Sequence, residues 1–170
     1  LFTSAGASFV REIVERDIKI FLDVKFHDIP NTVAKAAVEA ARLGVWMFNI
    51  HALGGAEMMT RTVGKVREIC AKENLRQPKI IGVTILTSAD EETLEETGID
   101  KKIERQVLRL AQLTAKCELD GVVASPHEIE IIRRAVGNQD FLIVTPGIRP
   151  IFATKDDQKR VMTPKQAVLY

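Results

Sequence analysis

The sequence lacks the extremes of charge and hydropathy that would point directly to a class of partner. Its 24 basic and 23 acidic side chains leave a formal net charge of +1, which gives no electrostatic reason to expect nucleic acid or an anionic membrane. Apolar runs such as residues 44–48 fall far short of the roughly 18 residues that a membrane-spanning helix needs. No basic start followed by an apolar run resembles a signal peptide.

Cysteine is also scarce, since the chain contains only Cys70 and Cys117, without C-x-x-C spacing. We expect two reduced thiols in a cytoplasmic protein rather than a disulfide. The remaining composition is that of a globular protein, with 46% hydrophobic and 28% charged residues. A length of 170 residues predicts one domain that can bury a core.

Short runs rich in β-branched and aromatic residues alternate with helical patterns along the whole chain, and no low-complexity linker interrupts them. Most of the strand candidates are nearly continuous apolar runs, as expected for parallel strands covered on both faces. The predicted strands are residues 18–26, 45–51, 80–87, 121–125 and 141–145. The predicted helices are residues 7–15, 32–43, 55–73, 90–97, 101–117 and 126–136.

Helix start signals support this alternation. The sequences SPHE at 125–128 and TPKQ at 163–166 read as capping boxes with proline at the first helical position, and SADE at 88–91 offers a third start. Strand, cap and helix in this order predict a parallel sheet with short connections. Five such units fit an open doubly wound sheet or part of a (β/α)8 barrel, for which eight units typically need about 250 residues.

The segment FLDVKFHDIPNT at residues 21–32 contains the richest set of reactive side chains. Asp23 and Lys25 are two residues apart in a predicted strand and therefore project from the same face. Asp28 follows the strand, and Asn31 or the residue after it can begin a helix. The result is an acid–base–acid array at the carboxyl end of a strand, where α/β active sites gather.

Two interpretations of this array remain open from the residues alone. The first is a structural ion pair, which also perturbs pKa values. The second is catalysis, because a lysine held charged by flanking carboxylates is a poor nucleophile but a good general acid. Lys25 would then protonate a carbanion, and a neighbouring carboxylate would repel a substrate anion that disappears during the reaction.

The stretch 23–32 closely resembles the signature of the orotidine 5'-phosphate decarboxylase family, which catalyses the last step of pyrimidine nucleotide synthesis. Other segments agree with this family in order and content, and the bacterial branch is the most similar. These segments are GVWMFNIH at 44–51, GVTILTS at 82–88, DGVV at 120–123 and TPGIRP at 145–150. The similarity extends over almost the whole chain.

The resemblance implies a (β/α)8 barrel that works as a homodimer without a metal or organic cofactor, converting orotidine 5'-phosphate to UMP. It implies that Lys25 protonates C6 of the pyrimidine after carbon dioxide leaves, with Asp23 beside the departing carboxylate. Asp28 and Thr32 would reach into the partner subunit's site, so that each active site is composite. Ile29 belongs to the same implied substrate-binding set.

The resemblance also implies further substrate contacts outside this segment. Thr87, with Ser88 beside it, matches the position that contacts the pyrimidine. Arg149 and Gln158 match substrate contacts on the loop of residues 149–160, which would close over the phosphate and exclude water.

The family's first two strands and its last strand have no counterpart in this sequence. We therefore expect residues 1–170 to form a single partial (β/α)8 barrel domain, equivalent to strands three to seven. The strands without counterparts contribute ribose- and phosphate-binding residues in the family, so we expect the isolated chain to be inactive or nearly so.

Two alternative functions remain. Sugar-phosphate decarboxylases of the same superfamily share the D-x-K-x-x-D pattern but use magnesium, although IPNT at 29–32 and TPGIRP at 145–150 favour the nucleotide enzyme. The second alternative is a noncatalytic fragment that acts only as a dimerisation or binding module.

His27 and His51 follow or end strands that could bring them together, yet their spacing does not predict a metal site. His51 either shapes the pocket or is a structural histidine.

Overall fold

The structure is a computed structural model that describes residues 2–99, 102–148 and 163–167. A single sheet of five parallel strands forms its centre, in the order β1-β2-β3-β4-β5. The strands are β1 (Phe21–Phe26), β2 (Met47–His51), β3 (Lys79–Val83), β4 (Gly121–Val123) and β5 (Leu142–Val144).

Helices connect the strands, as the alternating pattern predicts. The helices are α1 (Phe2–Val14), α2 (Pro30–Arg42), α3 (Gly55–Glu73), α4 (Glu91–Glu96), α5 (Ile103–Lys116), α6 (Ile129–Val136) and α7 (Pro164–Ala167). Two short 3-10 helices, Ala52–Gly54 and Pro126–Glu128, precede α3 and α6. α1 is interrupted at Gly6, where φ is 72°.

The strand order decides between the two architectures left open by the sequence. In a doubly wound sheet the order reverses at a switch point, whereas consecutive strands of a (β/α)8 barrel are always neighbours. All five strands here pair in chain order. The sheet is therefore a run of five consecutive barrel units, as predicted.

The two faces of the sheet have different surroundings. The helix-facing core takes Phe48, Ile50, Ile80 and Val122 from the strands, and all four are at most 1% exposed. Because side chains alternate between faces along a strand, the residues between them, including Asn49, point to the opposite face. That opposite face is where polar side chains collect.

The observed helix starts differ from the predicted ones at several elements, and α1 begins at Phe2 rather than at residue 7. Ser88 does not cap α4: Asp90 is the N-cap, and its side chain accepts a hydrogen bond from the Thr93 amide. α2 begins at Pro30 rather than at Asn31 or beyond, without a side-chain cap. The capping box at Ser125 is present as predicted, and begins the 3-10 turn before α6.

Both cysteines are buried free thiols, as expected. Within the described ranges, no helix has the length and the apolar character that crossing a membrane would require.

Candidate active site

A cavity of about 220 Å³ lies at the carboxyl edge of the sheet. Every strand contributes to its wall, and so do the loops that follow β3 and β5. The residues that line it are Phe21, Asp23, Lys25, Asn49, Val83, Ile85, Leu86, Thr87, Ser88, Val123, Val144 and Pro146. An apolar wall with a few convergent polar groups is typical of a small-molecule site.

Asp23 and Lys25 form an ion pair in this cavity, with Lys25 Nζ donating to Asp23 Oδ1 at 2.6 Å. Their side chains are 51% and 39% exposed, and pairs this exposed contribute only about 0–1 kcal/mol to stability. Lys25 also has a φ of 49°, a left-handed conformation that costs a residue other than glycine about 1–2 kcal/mol. A purely structural role therefore explains the pair poorly, whereas strain of this kind is common at functional sites.

Asn49, on β2, connects to this pair. Its Nδ2 donates to Asp23 Oδ1 at 2.7 Å, so this one oxygen accepts from both Lys25 and Asn49. Partial burial raises the pKa of Asp23, but the hydrogen bonds from Lys25 and Asn49 together lower it by more, so its pKa lies below the ordinary value. The Asp23 carboxylate is thus held in its charged form beside the lysine.

The sequence interpretation missed Asn49 as a site residue. It is 1% exposed and stands between Phe48 and Ile50 in an apolar strand. A lone polar residue in such a run has to find hydrogen-bond partners in the folded protein. That pattern was visible in the sequence, but the partner was not.

His27 and His51 lie together near the Asp23–Lys25 ion pair, with ring centroids 5.1 Å apart. The ends of β1 and β2 bring them together, as the sequence indicated was possible. His51 is half-buried, and its Nδ1 has no hydrogen-bond partner among the described residues. Burial lowers the pKa of His51, and the nearby His27 and Lys25 lower it further, while Asp23 opposes them. Within residues 2–99, 102–148 and 163–167, no three His, Cys, Asp or Glu side chains are grouped as a metal site.

The lowered pKa of His51 predicts how stability changes with pH. The unfolded chain binds a proton at a pKa near 6.5, whereas the folded chain resists protonation until a lower pH. The stabilising contribution is therefore complete above about pH 6.5 and decreases as the pH falls toward the folded-state pKa. We expect thermal unfolding midpoints to decrease between about pH 7 and 5 less steeply in His51→Gln than in the parent.

The exposed His127 provides the control for this experiment. His127→Gln replaces an exposed histidine in the same way and controls for the substitution itself. A His51→Gln variant whose midpoints follow the parent at every pH would show that the buried imidazole does not contribute.

The structure brings together some of the predicted site residues but not all of them. Thr87 and Ser88 line the cavity with Asp23 and Lys25. The other predicted residues on this rim, Asp28, Ile29 and Thr32, are exposed and do not line it. The Asp28 carboxylate instead accepts a hydrogen bond from the amide of Ile29 at 2.6 Å.

The position of the loop predicted to close over the phosphate is not described by the structure. Arg149, Gln158 and the loop of residues 149–160 lie outside the described residues.

A larger and more open cavity, of about 590 Å³, lies elsewhere. Its wall comes from α4, α5 and the 3-10 helix before α6, and includes Lys102, Glu104 and Arg105. None of the predicted site residues lies in it. We place the site in the smaller cavity because only that one lies at the carboxyl ends of the strands and contains the strained ion pair.

Comparison with known proteins agrees with the interpretation of the motifs. A family described as "Orotidine 5'-phosphate decarboxylase / HUMPS family" matches residues 1–170. The orotidine 5'-phosphate decarboxylase of Syntrophotalea carbinolica is 57% identical over 168 residues, which cover 99% of this chain and 68% of that protein. The enzyme of the same name from Geobacter sulfurreducens is 58% identical, covering 99% and 69%.

Solved structures give the same result. The crystal structure of orotidine 5'-phosphate decarboxylase from Lactobacillus acidophilus superposes with a TM-score of 0.83 at 37% identity, over 98% of this chain and 69% of that one. An uncharacterized conserved protein from Geobacillus kaustophilus superposes with a TM-score of 0.80 at 38% identity, over 85% and 67%. The match across the whole chain and the identities above 50% lead to one conclusion: the chain belongs to the orotidine 5'-phosphate decarboxylase / HUMPS family.

Proposed function

We propose that this protein converts orotidine 5'-phosphate to UMP and carbon dioxide, with Lys25 as the general acid. The observation that carries the proposal is the Asp23–Lys25 pair, which lies in a largely apolar cavity at the carboxyl edge of the sheet. The family and the names of the relatives support decarboxylation of this substrate. The roles of individual residues are our inference from the geometry and the resemblance.

In the proposed step, the bond between C6 and the substrate carboxylate breaks, carbon dioxide leaves, and the electron pair stays on C6. Lys25 then gives a proton from Nζ to C6, which yields UMP, and regains a proton from water. Its ammonium also stabilises the negative charge as it develops on C6. Lys25 thus supplies both charge and proton, and the proposed step requires no metal or organic cofactor.

Asp23 has two roles in this proposal. It directs the Lys25 side chain into the cavity through the 2.6 Å contact. Its carboxylate would also stand beside the carboxylate of the bound substrate, where like charges repel until carbon dioxide leaves. Repulsion that exists only before the reaction favours the transition state over the bound substrate. The low pKa of Asp23, which results from the hydrogen bonds of Lys25 and Asn49, keeps this charge in place.

We further propose that the protein is a homodimer whose subunits share their active sites. Large apolar side chains are exposed just after three successive strands: Ile29 (67%), Leu53 (41%) and Leu86 (43%). All three follow the carboxyl ends of β1, β2 and β3, at the edge that contains the cavity. A second copy that covered this edge would bury them and would bring in its own Asp28 and Thr32, which are exposed here.

We also propose a cytoplasmic location, which the free thiols of both cysteines support.

An assay with two substrates tests the proposed function. The chain is incubated with orotidine 5'-phosphate or 3-keto-gulonate 6-phosphate, each with a chelator or with magnesium, and carbon dioxide and the remaining product are measured. The same assay is run on the chain joined to the flanking segments of the Geobacter sulfurreducens relative, of which the chain spans 69%. We expect equal amounts of UMP and carbon dioxide with chelator present, at least in the joined form.

The opposite pattern would overturn the proposal. Turnover of the sugar phosphate alone, lost on chelation, would assign the magnesium-dependent chemistry of the superfamily instead. Failure of the joined form with both substrates would favour a noncatalytic binding module.

A further inference from the structure

Asn49 occupies an unusual place in the sheet. β1 and β2 pair regularly at Phe21 and Leu22, which lie opposite Met47 and Phe48, and the next pair is Phe26 with Ile50. The three residues 23–25 therefore lie opposite the single residue Asn49. This irregularity is a bulge with two extra residues in β1, and bulges next to active sites commonly re-aim a side chain.

A bulge of this size removes backbone amides from the regular ladder, and buried amides need other partners. The Asn49 side chain supplies one. Its Oδ1 accepts from the amide of Val24 at 3.1 Å and from that of Lys25 at 2.7 Å. At the same time its Nδ2 donates to Asp23 Oδ1 at 2.7 Å. One buried side chain thus contacts all three residues of the bulge.

We propose that Asn49 is the positioning residue of this site: its amide joins the bulge in β1 and the Asp23 carboxylate into one hydrogen-bonded unit that fixes where Lys25 presents its ammonium. The inference rests on the proposed function insofar as Lys25 is the acid. The two halves of the amide have separate tasks. The oxygen holds the left-handed backbone at Lys25, and the NH2 group orients the carboxylate that pairs with its ammonium.

The division of tasks gives two informative variants. Asn49→Asp keeps an oxygen for the amides of Val24 and Lys25, but it replaces the donor to Asp23 by a second carboxylate. Asn49→Leu has a similar volume and removes both tasks. Asn138→Asp is the matched control, because Asn138 is exposed before β5 and its Oδ1 accepts from the Asp140 amide, a bond that aspartate keeps.

Two measurements distinguish positioning from a structural contribution. In the active form of the protein, we expect Asn49→Asp to reduce kcat by about 100-fold, the effect of misplacing a reacting group by about 1 Å, with KM changed far less. The acid limb of the profile of kcat/KM against pH should also move to higher pH, because two adjacent carboxylates resist ionising together. A structural contribution alone would lower the unfolding midpoint and leave the kcat of the folded protein and this limb unchanged.

The second measurement does not need turnover. Carbon-13 NMR of the carboxyl groups follows the titration of Asp23 in the 170-residue chain, with Asp23→Asn as the assignment standard. We expect Asp23 to titrate at higher pH in both Asn49 variants than in the parent, and at the parent's pH in Asn138→Asp. An unchanged Asp23 titration in Asn49→Asp or in Asn49→Leu would overturn the inference, even if the parent is active. An inactive joined parent with a shifted titration would overturn the proposed function but support the Asn49 contact.

Discussion

Replacing Lys25 by methionine is expected to reduce the rate of UMP formation by about 10,000-fold, at the upper end of the effect of a general acid. Methionine has a similar length and volume, but it carries neither a charge nor a transferable proton. It would also leave Asp23 without the cation that stabilises it. Single-turnover assays with enzyme in excess measure this loss in the chemical step, free from changes in product release.

Lys65→Met is the matched control for this prediction. Lys65 lies on α3, is exposed, and forms an ion pair with Glu68 at 2.9 Å, so the substitution also removes a lysine from an exposed pair. Its rate should equal that of the parent. If Lys25→Met kept a rate within about tenfold of the parent, Lys25 would contribute less than general acids usually do, and the proton would have to come from another group.

Mixing two inactive variants is expected to restore activity if the sites are shared between subunits. Lys25→Ala and Asp28→Ala each disable both sites of their own homodimer. In a mixed dimer, one site combines the intact Lys25 of one subunit with the intact Asp28 of the other. Random exchange makes half of the dimers mixed, each with one working site of two, so about one quarter of the parent activity should return.

A second mixture provides the control for this recovery. Lys25 and Asp23 are in contact within one subunit, so Lys25→Ala mixed with Asp23→Ala leaves no intact site and should remain inactive. The dimers are exchanged by co-expression and assayed for UMP. Equal recovery in both mixtures, or in neither while mixed dimers form, would contradict a shared site that contains Asp28.

The order of strands and helices could be predicted because it depends on local patterns. The ends of the strands were harder to predict, because they depend on where the partner strand offers hydrogen bonds. The third strand was predicted to reach Thr87 but ends at Val83, since β4 offers partners only from Gly121 to Val123. The residues beyond Val83 instead form part of the cavity wall. Similarly, β1 begins at Phe21 rather than Ile18, because its pairing with β2 starts there.

The contact between Asp23 and Lys25 could be predicted from the sequence, but the hydrogen bonds from Asn49 that support it could not. The D-x-K spacing is enough to place Asp23 and Lys25 on one side of a strand. The bulge is not visible in the sequence of β1, since it is defined only by the register with β2. Its partner Asn49 is 24 residues away from Lys25, and no local rule connects the two. The N-cap of α4 was predicted wrongly for a simpler reason. Ser88 and Asp90 both fit a helix start, but in the structure the Thr93 amide donates its hydrogen bond to Asp90.

We propose that Lys25 acts on C6 of the pyrimidine in the cavity at the carboxyl ends of the strands. A crystal structure of the joined form with UMP bound tests it most directly, because UMP is the product of the proposed step. We expect the pyrimidine to lie among Asp23, Lys25 and Thr87, with Lys25 Nζ about 3–3.5 Å from C6. UMP bound elsewhere, or with C6 turned away from Lys25, would contradict it.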